Sequence, residues 1–359
     1  LVRDARTADG QLLCADQEIA LPEVTRPTMR DVAALAGVSL KTVSRVINGM
    51  QTVDPALAAQ VRRAAAQLNY QPNLTASSLR RGDRKSLMIG LMLEDVANPY
   101  SSSIYRSAEN VARTRGVGLL AGSLDEDPQR ERELAAALFL RRVDGLIIVP
   151  AGQDHSYLLN ERQMGTALVF VDRPPRFLAA DSVVSDNRAG AANGVRHLIA
   201  HGHTRIAYLG DLTSIATAQE RYAGFQDALR EAGLPLDLQL VRHDLHTIGA
   251  AEAAVTELIT GNDPPSALFS EQNLVTIGSV RALRGAARQH RTALVGFDDF
   301  PLADLLEPAV TVVAQDPAAI GTLAAEILFR RIDGDTSPAQ EHVVPTRLIE
   351  RASGAIPPP

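Results

Sequence analysis

The chain has 359 residues, 45% of them hydrophobic, a net charge of −6 and a single cysteine, Cys14. That length exceeds one ordinary hydrophobic core and predicts two or three domains. No apolar run reaches the ~18 residues of a membrane span, no signal-peptide core opens the sequence, and one cysteine excludes an internal disulfide framework, so a cytoplasmic protein is expected.

Residues 1–26 show no periodic pattern and are expected to form a disordered tail. The chain begins with Leu1 rather than Met, and Val24 is a candidate later start just ahead of the first helix. Charge then becomes uneven. Thr28 to Lys85 holds nine basic and three acidic residues, a local +6, which leaves −12 on the remainder. A basic module on an acidic body suggests localised contact with phosphate.

Residues 27–72 read as a helix-turn-helix domain. In "TMRDVAALAGVSLKTVSRVING", Thr28 is placed to cap a first helix by accepting a backbone N–H, with Asp31 three residues on. Gly37 ends that helix in a left-handed turn. Ser39 caps a second helix, whose stripe Val43, Val46 and Ile47 is buried. Its other face carries Lys41, Ser44, Arg45 and Asn48, polar and without an acid. Leu40 and Lys41 lie at the end that enters a major groove in this motif. Arg45 suits a two-donor contact to guanine, while Thr42, Ser44 and Asn48 suit phosphates. The alternative is a plain solvated amphipathic helix. "TVDPALAAQVRRAAAQLNYQP" predicts a third helix, started by Asp54-Pro55, stopped by Pro72, and burying Leu57, Val61, Ala64 and Leu68.

Residues 73–86 form a basic linker containing a weak helix former with Leu79 beside Arg80 and Arg81. Such a segment is marginal alone, but a leucine there can wedge between base steps in a minor groove. The motifs "TMRDVAALAGVSLKTVSRVING", "LNYQPN" and "ASSLRRG" together resemble the DNA-binding headpiece and hinge of the LacI/GalR family of transcriptional regulators, continuously over Thr28–Gly82. The resemblance implies that Leu40, Lys41 and Arg45 face bases, and that Ala76 and Leu79 pair across a dimer hinge with Leu79 in the minor groove. Thr28 and Ser39 join the set expected at DNA.

From Ser86 onward, "LMIGLML", "GVGLLAG", "GLIIVP", "ALVFVD", "RIAYLG", "SALFS" and "TALVGF" alternate with amphipathic stretches. That alternation marks βαβ units and parallel sheets. A polar break near Val183–Arg188 separates two groups, so two doubly wound subdomains are expected. Parallel sheets bind ligands at the carboxyl ends of their strands. The residues there are Glu94, Asp95, Asn98 and Tyr100; Asp172 and Arg173; Thr217 and Arg221; Gln272 and Asn273; Asp298 and Asp299. Carboxylates and an arginine suit hydroxyl-rich ligands because each makes two directed hydrogen bonds; the plainer role of loop-end Asp and Arg is helix capping.

"NPYSSSIYRSAE", "DEDPQRERE", "RRVDGLIIVP", "RYAGFQDAL" and "VGFDDF" extend the resemblance over Leu87–Arg351, to the family's periplasmic-binding-protein-like effector domain. It implies that Tyr100, Asp172, Arg221, Asn273 and Asp298 line the effector cleft, and that Arg221 and Asp298 hold sugar hydroxyls. "FSEQNLVTIG" departs from the family's Asn-Asp with Gln272-Asn273, which removes a charge from the cleft. The expected fold is therefore an all-α helix-turn-helix headpiece plus an α/β effector and dimerisation domain over 87–353, followed by a tail at 354–359. The first subdomain takes 87–186 and 316–333, the second 187–315 and 334–353. The ending "RASGAIPPP" has no heptads, so a homodimer is expected.

His201 and His203 lack the further ligands of a zinc site. "GVGLLAG" straddles a strand rather than opening a helix, so it is no dinucleotide fingerprint. Tyr157 and Tyr208 read as packing. No cofactor, metal or catalytic constellation is expected. The function expected is a repressor released from a pseudo-palindromic double-stranded operator by a sugar-type effector. The alternatives are a purine-type corepressor, or a sugar-binding receptor without DNA function. Arg45→Ala should cost about 1–3 kcal/mol and relax base preference at one operator position, read by binding to a panel of single-base operator variants. Leu79→Ala should weaken operator binding far more than effector binding; equal losses would remove the hinge role.

Overall fold

A computed structural model describes residues 26–47, 50, 52–71 and 85–359, which fall into two compact units, the headpiece and the body. Asn48, Ala76 and Leu79, the tail before residue 26 and most of the linker lie outside the described residues.

Among its described residues the headpiece has three helices, α1 (Met29–Leu35), α2 (Leu40–Ile47) and α3 (Pro55–Gln67). The Asp31 carboxylate accepts both the backbone N–H and the hydroxyl of Thr28, at 2.7 Å each. The reciprocal half of this capping box, the Thr28 side chain accepting from the Asp31 backbone, is also present, as the sequence suggests. Gly37 takes φ +62°, a conformation costly for any residue with a Cβ. Ser39 Oγ accepts the Thr42 N–H at 3.1 Å and so caps α2. Val32, Ala33, Ala36, Val43, Val61 and Ala64 form the core. Leu57, expected in that core, is 40% exposed. It lies at the start of α3, and the adjacent Ala58 is buried in its stead.

The body contains two six-stranded sheets. The first holds β1 (Met88–Leu93), β2 (Gly118–Ser123), β3 (Gly145–Ile148), β4 (Ala167–Val171), β5 (Asp181–Ser185) and β11 (Glu341–Val344), in the order β11-β5-β4-β3-β1-β2 and all parallel. The second holds β6 (Ile206–Leu209), β7 (Val241–Arg242), β8 (Ala267–Ser270), β9 (Ala293–Phe297), β10 (Thr311–Ala314) and β12 (Arg347–Ile349), in the order β12-β10-β9-β8-β6-β7. There β12 alone among the described strands runs antiparallel, against β10. Strands β1, β3, β4, β8 and β9 are almost wholly buried, as strands covered on both faces must be.

Helices α4 (Pro99–Thr114) and α11 (Pro317–Ile332) cover one face of the first sheet through Ile104, Ala108, Ile320 and Ala324. Helix α5 (Pro128–Leu140) joins a separate core cluster through Ala135 and Leu138; α6 (Leu159–Gln163) is a short surface helix. In the second subdomain, α7 (Asn187–Ala200) and α8 (Ala216–Glu231) share one core with the sheet, while α9 (Ile248–Thr260) and α10 (Asn273–Gly285) share another. Helices α3, α4, α5 and α11 start the same way. Asp54, Asn98, Asp127 and Asp316 each accept a backbone N–H, and proline follows where its missing N–H costs nothing.

Two expected boundaries shift. The second subdomain expected from the sequence includes all of 334–353, but β11 pairs in parallel with β5 of the first. "EHVV" is a half-exposed edge strand with no apolar run to mark it. The end of the chain is not a free tail: Ser353 and Gly354 are buried, and His203 Nε2 donates to the Ile356 carbonyl at 2.8 Å.

Helices α7 and α8 cross at Gly224, where a Cβ would stand 2.2 Å from the Arg188 carbonyl oxygen. Backbone cannot yield as a side-chain tip does. Gly224→Ala should destabilise the body by about 1–3 kcal/mol, read from the urea midpoint.

Candidate effector cleft and DNA-facing helix

The carboxyl ends of both sheets open onto one polar cavity. Ten of the twelve strand-end residues named from the sequence line it: Glu94, Asn98, Tyr100, Asp172, Arg173, Thr217, Arg221, Gln272, Asn273 and Asp298. Asp172 follows β4 and Asp298 follows β9, equivalent places in the two sheets. Both hold a left-handed backbone, at φ 68° and 69°. Each still donates its N–H to the neighbouring strand, to Val183 at 3.0 Å and Val313 at 2.9 Å. Such backbone is uncommon outside glycine, and aspartate is among the residues that tolerate it.

Arg221 projects from α8 and is almost fully buried. Its Nε donates to Asn187 Oδ1 (2.8 Å) and its Nη1 to the Glu271 carbonyl (2.7 Å), while Nη1 lies 3.7 Å from Asp298 Oδ2. The guanidinium stacks 3.9 Å above the Phe297 ring. Gln315 Nε2 donates to Asp298 Oδ1 at 2.7 Å. The Tyr100 hydroxyl stands 3.2 Å from both Asp172 Oδ1 and Gln315 Oε1, two acceptors for one proton. Burial first, then the Asp172 and Asp298 charges, hold its pKa well above the usual phenol range. Burial also raises Asp298, with Arg221 and the Gln315 hydrogen bond opposing.

Arg173 makes a two-bond contact to Glu126 (2.7 and 2.6 Å) and donates to the Pro150 carbonyl. Its Nε lies 3.2 Å from Asp172 Oδ2 without hydrogen-bond alignment. Direct contacts cross between the subdomains: Asn273 Nδ2 donates to Asn98 Oδ1 at 2.8 Å, an oxygen that also caps α4, and Gln153 Nε2 donates to the Ser214 carbonyl at 3.1 Å. Gln272 Oε1 caps α10, and its Nε2 reaches Asp211.

Sequence reasoning missed Glu126, Asp211, Glu271 and Gln315 on the lining. Asp211 and Glu271 come within two residues of strands that were recognised, so the strand-end rule would have found them. Gln315 directly follows β10, whose four residues "TVVA" raised no signal. Asp95 instead turns back on the Ala97 N–H, and Asp299 pairs with Arg351.

On the headpiece, Leu40, Lys41 and Arg45 are exposed on α2 while Val43 is buried, which is the division of faces expected of a reading helix. Ser39 and Thr42 share a 2.9 Å hydroxyl contact within the cap. His203 is a buried structural side chain held by Ser266 and Ile356, and His201 Nδ1 lies 2.8 Å from the His197 carbonyl. Among the described residues no acid, histidine and cysteine cluster of metal-site size occurs.

A three-helix headpiece followed by two doubly wound sheets around a polar cleft defines a DNA-binding regulator with a ligand-binding body. Residues 28–73 match the family described as bacterial regulatory proteins, lacI family, and residues 195–354 match a periplasmic binding protein-like domain. The regulator PtxS of Pseudomonas plecoglossicida is 34% identical over 337 residues, 92% of this chain and 97% of its own. The ribose operon repressor of Escherichia coli K12 is 32% identical over 331 residues, 91% of this chain and 99% of its own. Among solved structures, the complex of the regulator CelR with cellobiose is 30% identical, with a TM-score of 0.67, covering 91% of this chain and 100% of its own. The lac repressor dimer bound to operator and the anti-inducer ONPF shares the fold, with a TM-score of 0.81 at 24% identity over 92% of this chain and 99% of its own. The chain belongs to the lacI family of bacterial transcriptional regulators. Among the described residues no helix is long and apolar enough to cross a membrane.

Burial, reinforced by the Glu126 charge, raises Glu94 to about 7 from its ordinary 4.5, against an opposing Arg173. A raised carboxyl favours the folded state fully below the ordinary value, and that contribution fades as pH climbs through the folded value. Glu94→Gln should therefore gain melting temperature over the parent at pH 8, and less at pH 5.5, in paired thermal melts of the ligand-free protein. An equal difference at both pH values would mean that Glu94 is not held in its neutral form.

Proposed function

We propose that this protein is a cytoplasmic, homodimeric repressor, without cofactor or catalytic activity, that a small hydroxyl-rich effector of the sugar type releases from a pseudo-palindromic operator. One observation carries the effector half of the reading. Polar groups of both subdomains converge on a single cavity, through the Asn98–Asn273 bond and the Tyr100–Gln315–Asp298 chain. A ligand there makes different contacts when the subdomains close, and that difference is what shifts a two-state equilibrium.

Arg221 and Asp298 offer hydroxyls a cationic donor and a carboxylate acceptor side by side. Thr217, Asn98 and Asn273 add neutral partners, and Phe297 beneath Arg221 keeps the guanidinium flat. Closure would move the paired hinge segments at 73–86, where Ala76 and Leu79 are assigned, and lower the affinity of α2 and its partner copy for DNA. Leu40, Lys41 and Arg45 are the base-reading set, with Thr28, Ser39, Thr42, Ser44 and Asn48 assigned to the backbone.

The test separates the two sites. Arg221→Lys keeps a charge but loses the fork of donors. Operator affinity by fluorescence anisotropy should stay within about twofold, while the ligand concentration for half-release rises more than about tenfold, the scale of one lost charged hydrogen bond. A thermal-shift screen of sugars, sugar phosphates and purines supplies the ligand. Tightened operator binding on adding ligand would overturn the inducing direction.

A further inference from the structure

The cleft holds more negative charge than its own cations answer. Six carboxylates line it against two guanidiniums, Arg173 and Arg221. Both guanidiniums are already engaged: Arg173 by Glu126 in a two-bond contact and by Asp172, Arg221 by Asp298 and two neutral oxygens. The remaining acids of the second subdomain have local donors. Asp211 has His246 Nδ1 at 2.8 Å, and Glu271 has the Tyr208 hydroxyl and the Asp211 N–H.

Glu94 is the exception. It stands at the carboxyl end of β1, its carbonyl pinned by the Leu124 and Asp125 N–H groups at 3.1 and 2.9 Å. Its side chain lines the cavity. Among the described residues no hydrogen bond or ion pair reaches its carboxylate. The charges that face it are Glu126 and Arg173 from its own subdomain and Asp211 and His246 from the other. The two cations of that set are each committed to the nearer acid.

Glu94 is half-buried, a ligand entering beside it would bury it further, and a desolvated carboxylate without a partner is costly. A phosphate or carboxylate group would add repulsion from Glu94, Glu126 and Asp211 together. A neutral hydroxyl supplies one weak donor. A protonated amine supplies three donors and the missing charge, the stronger kind of hydrogen bond. We propose that the effector of this cleft carries a protonated amine, as an amino sugar does, and that the Glu94 carboxylate is its counter-ion. This rests on the effector-cleft reading above and narrows it: Arg221 and Asp298 hold hydroxyls at one part of the ligand, Glu94 the amine at another.

The experiment uses the full chain and matched probes: glucosamine, galactosamine and mannosamine, their parent hexoses, their N-acetyl forms and the hexose 6-phosphates. Binding is read by thermal shift and then by titration calorimetry. At least one amino sugar should raise the melting temperature where its parent hexose and N-acetyl form do not, and Glu94→Gln should weaken it at least about tenfold, with Glu94→Asp intermediate. The ligand-free melt of each variant reports that it is folded. Equal binding of an amine and its parent hexose, or unchanged affinity in Glu94→Gln, overturns the charge assignment and leaves the sugar cleft standing. Stabilisation by the 6-phosphates does the same. Silence of every probe counts against both.

Discussion

The polar groups of the cleft meet because the strands that lead into their loops and helices run parallel in each sheet's core. A parallel pair must be joined by a crossover, so the loops at one end of the sheet are free to vary while the other end returns the chain. Here the two sheets repeat one order, β2-β1-β3-β4-β5 beside β7-β6-β8-β9-β10, and the chain passes between them near residues 186, 315 and 345. Their carboxyl ends face one another across the cavity. Asp172 and Asp298, equivalent in the two sheets, are set by the same left-handed turn, so the site carries an approximate internal symmetry that the ligand-facing chemistry then breaks.

The break is in the partners. Asp172 meets a tyrosine hydroxyl and an arginine already tied to Glu126, whereas Asp298 meets Arg221 and Gln315. Buried acids also shape the walls without facing the ligand. Glu131, almost fully buried, accepts the Ala151 and Gly152 N–H groups and the Tyr157 hydroxyl, and so holds the loop after β3. Tyr208 packs among Phe225 and Phe269 while its hydroxyl serves Glu271. Both tyrosines are packing residues, as their sequence setting suggests, but each also satisfies an acid that burial would otherwise leave exposed to its own charge. Burial raises Glu271 to about 7, with Tyr208 and Arg221 pulling the other way. The cleft therefore keeps two carboxyls, Glu94 and Glu271, raised toward neutral pH, where a ligand's charge can move them.

Legibility tracked the strength of local signals. Gly37, Ser39 and Asp54-Pro55 act within a turn of their own position, and each does what its side chain predicts. The seven apolar runs became strands because buried parallel strands must be apolar on both faces. Asp-Ser-Val-Val-Ser did not look like a strand, yet β5 is fully buried. Its polar ends are tolerated because Asp181 takes Arg331 (2.7 and 2.9 Å) and Ser185 takes Gln315, partners some 130 to 150 positions away. Leu57 fitted the helical period of α3 but meets solvent, since periodicity gives a face and not the extent of what packs against it.

By itself, then, the amino-acid sequence determined the class of the headpiece helices and of the seven apolar strands, the family, and most of the strand-end positions from which a ligand is met, since these follow from backbone chemistry, periodicity and short motifs. Which acids find a cation was decided in three dimensions. Arg173 goes to Glu126, His246 to Asp211 and Arg221 to Asp298, pairings over 47, 35 and 77 positions that no spacing rule encodes. Glu94 is left without one because electrostatic partnership depends on distances of a few ångströms, and those exist once both sheets have folded against each other.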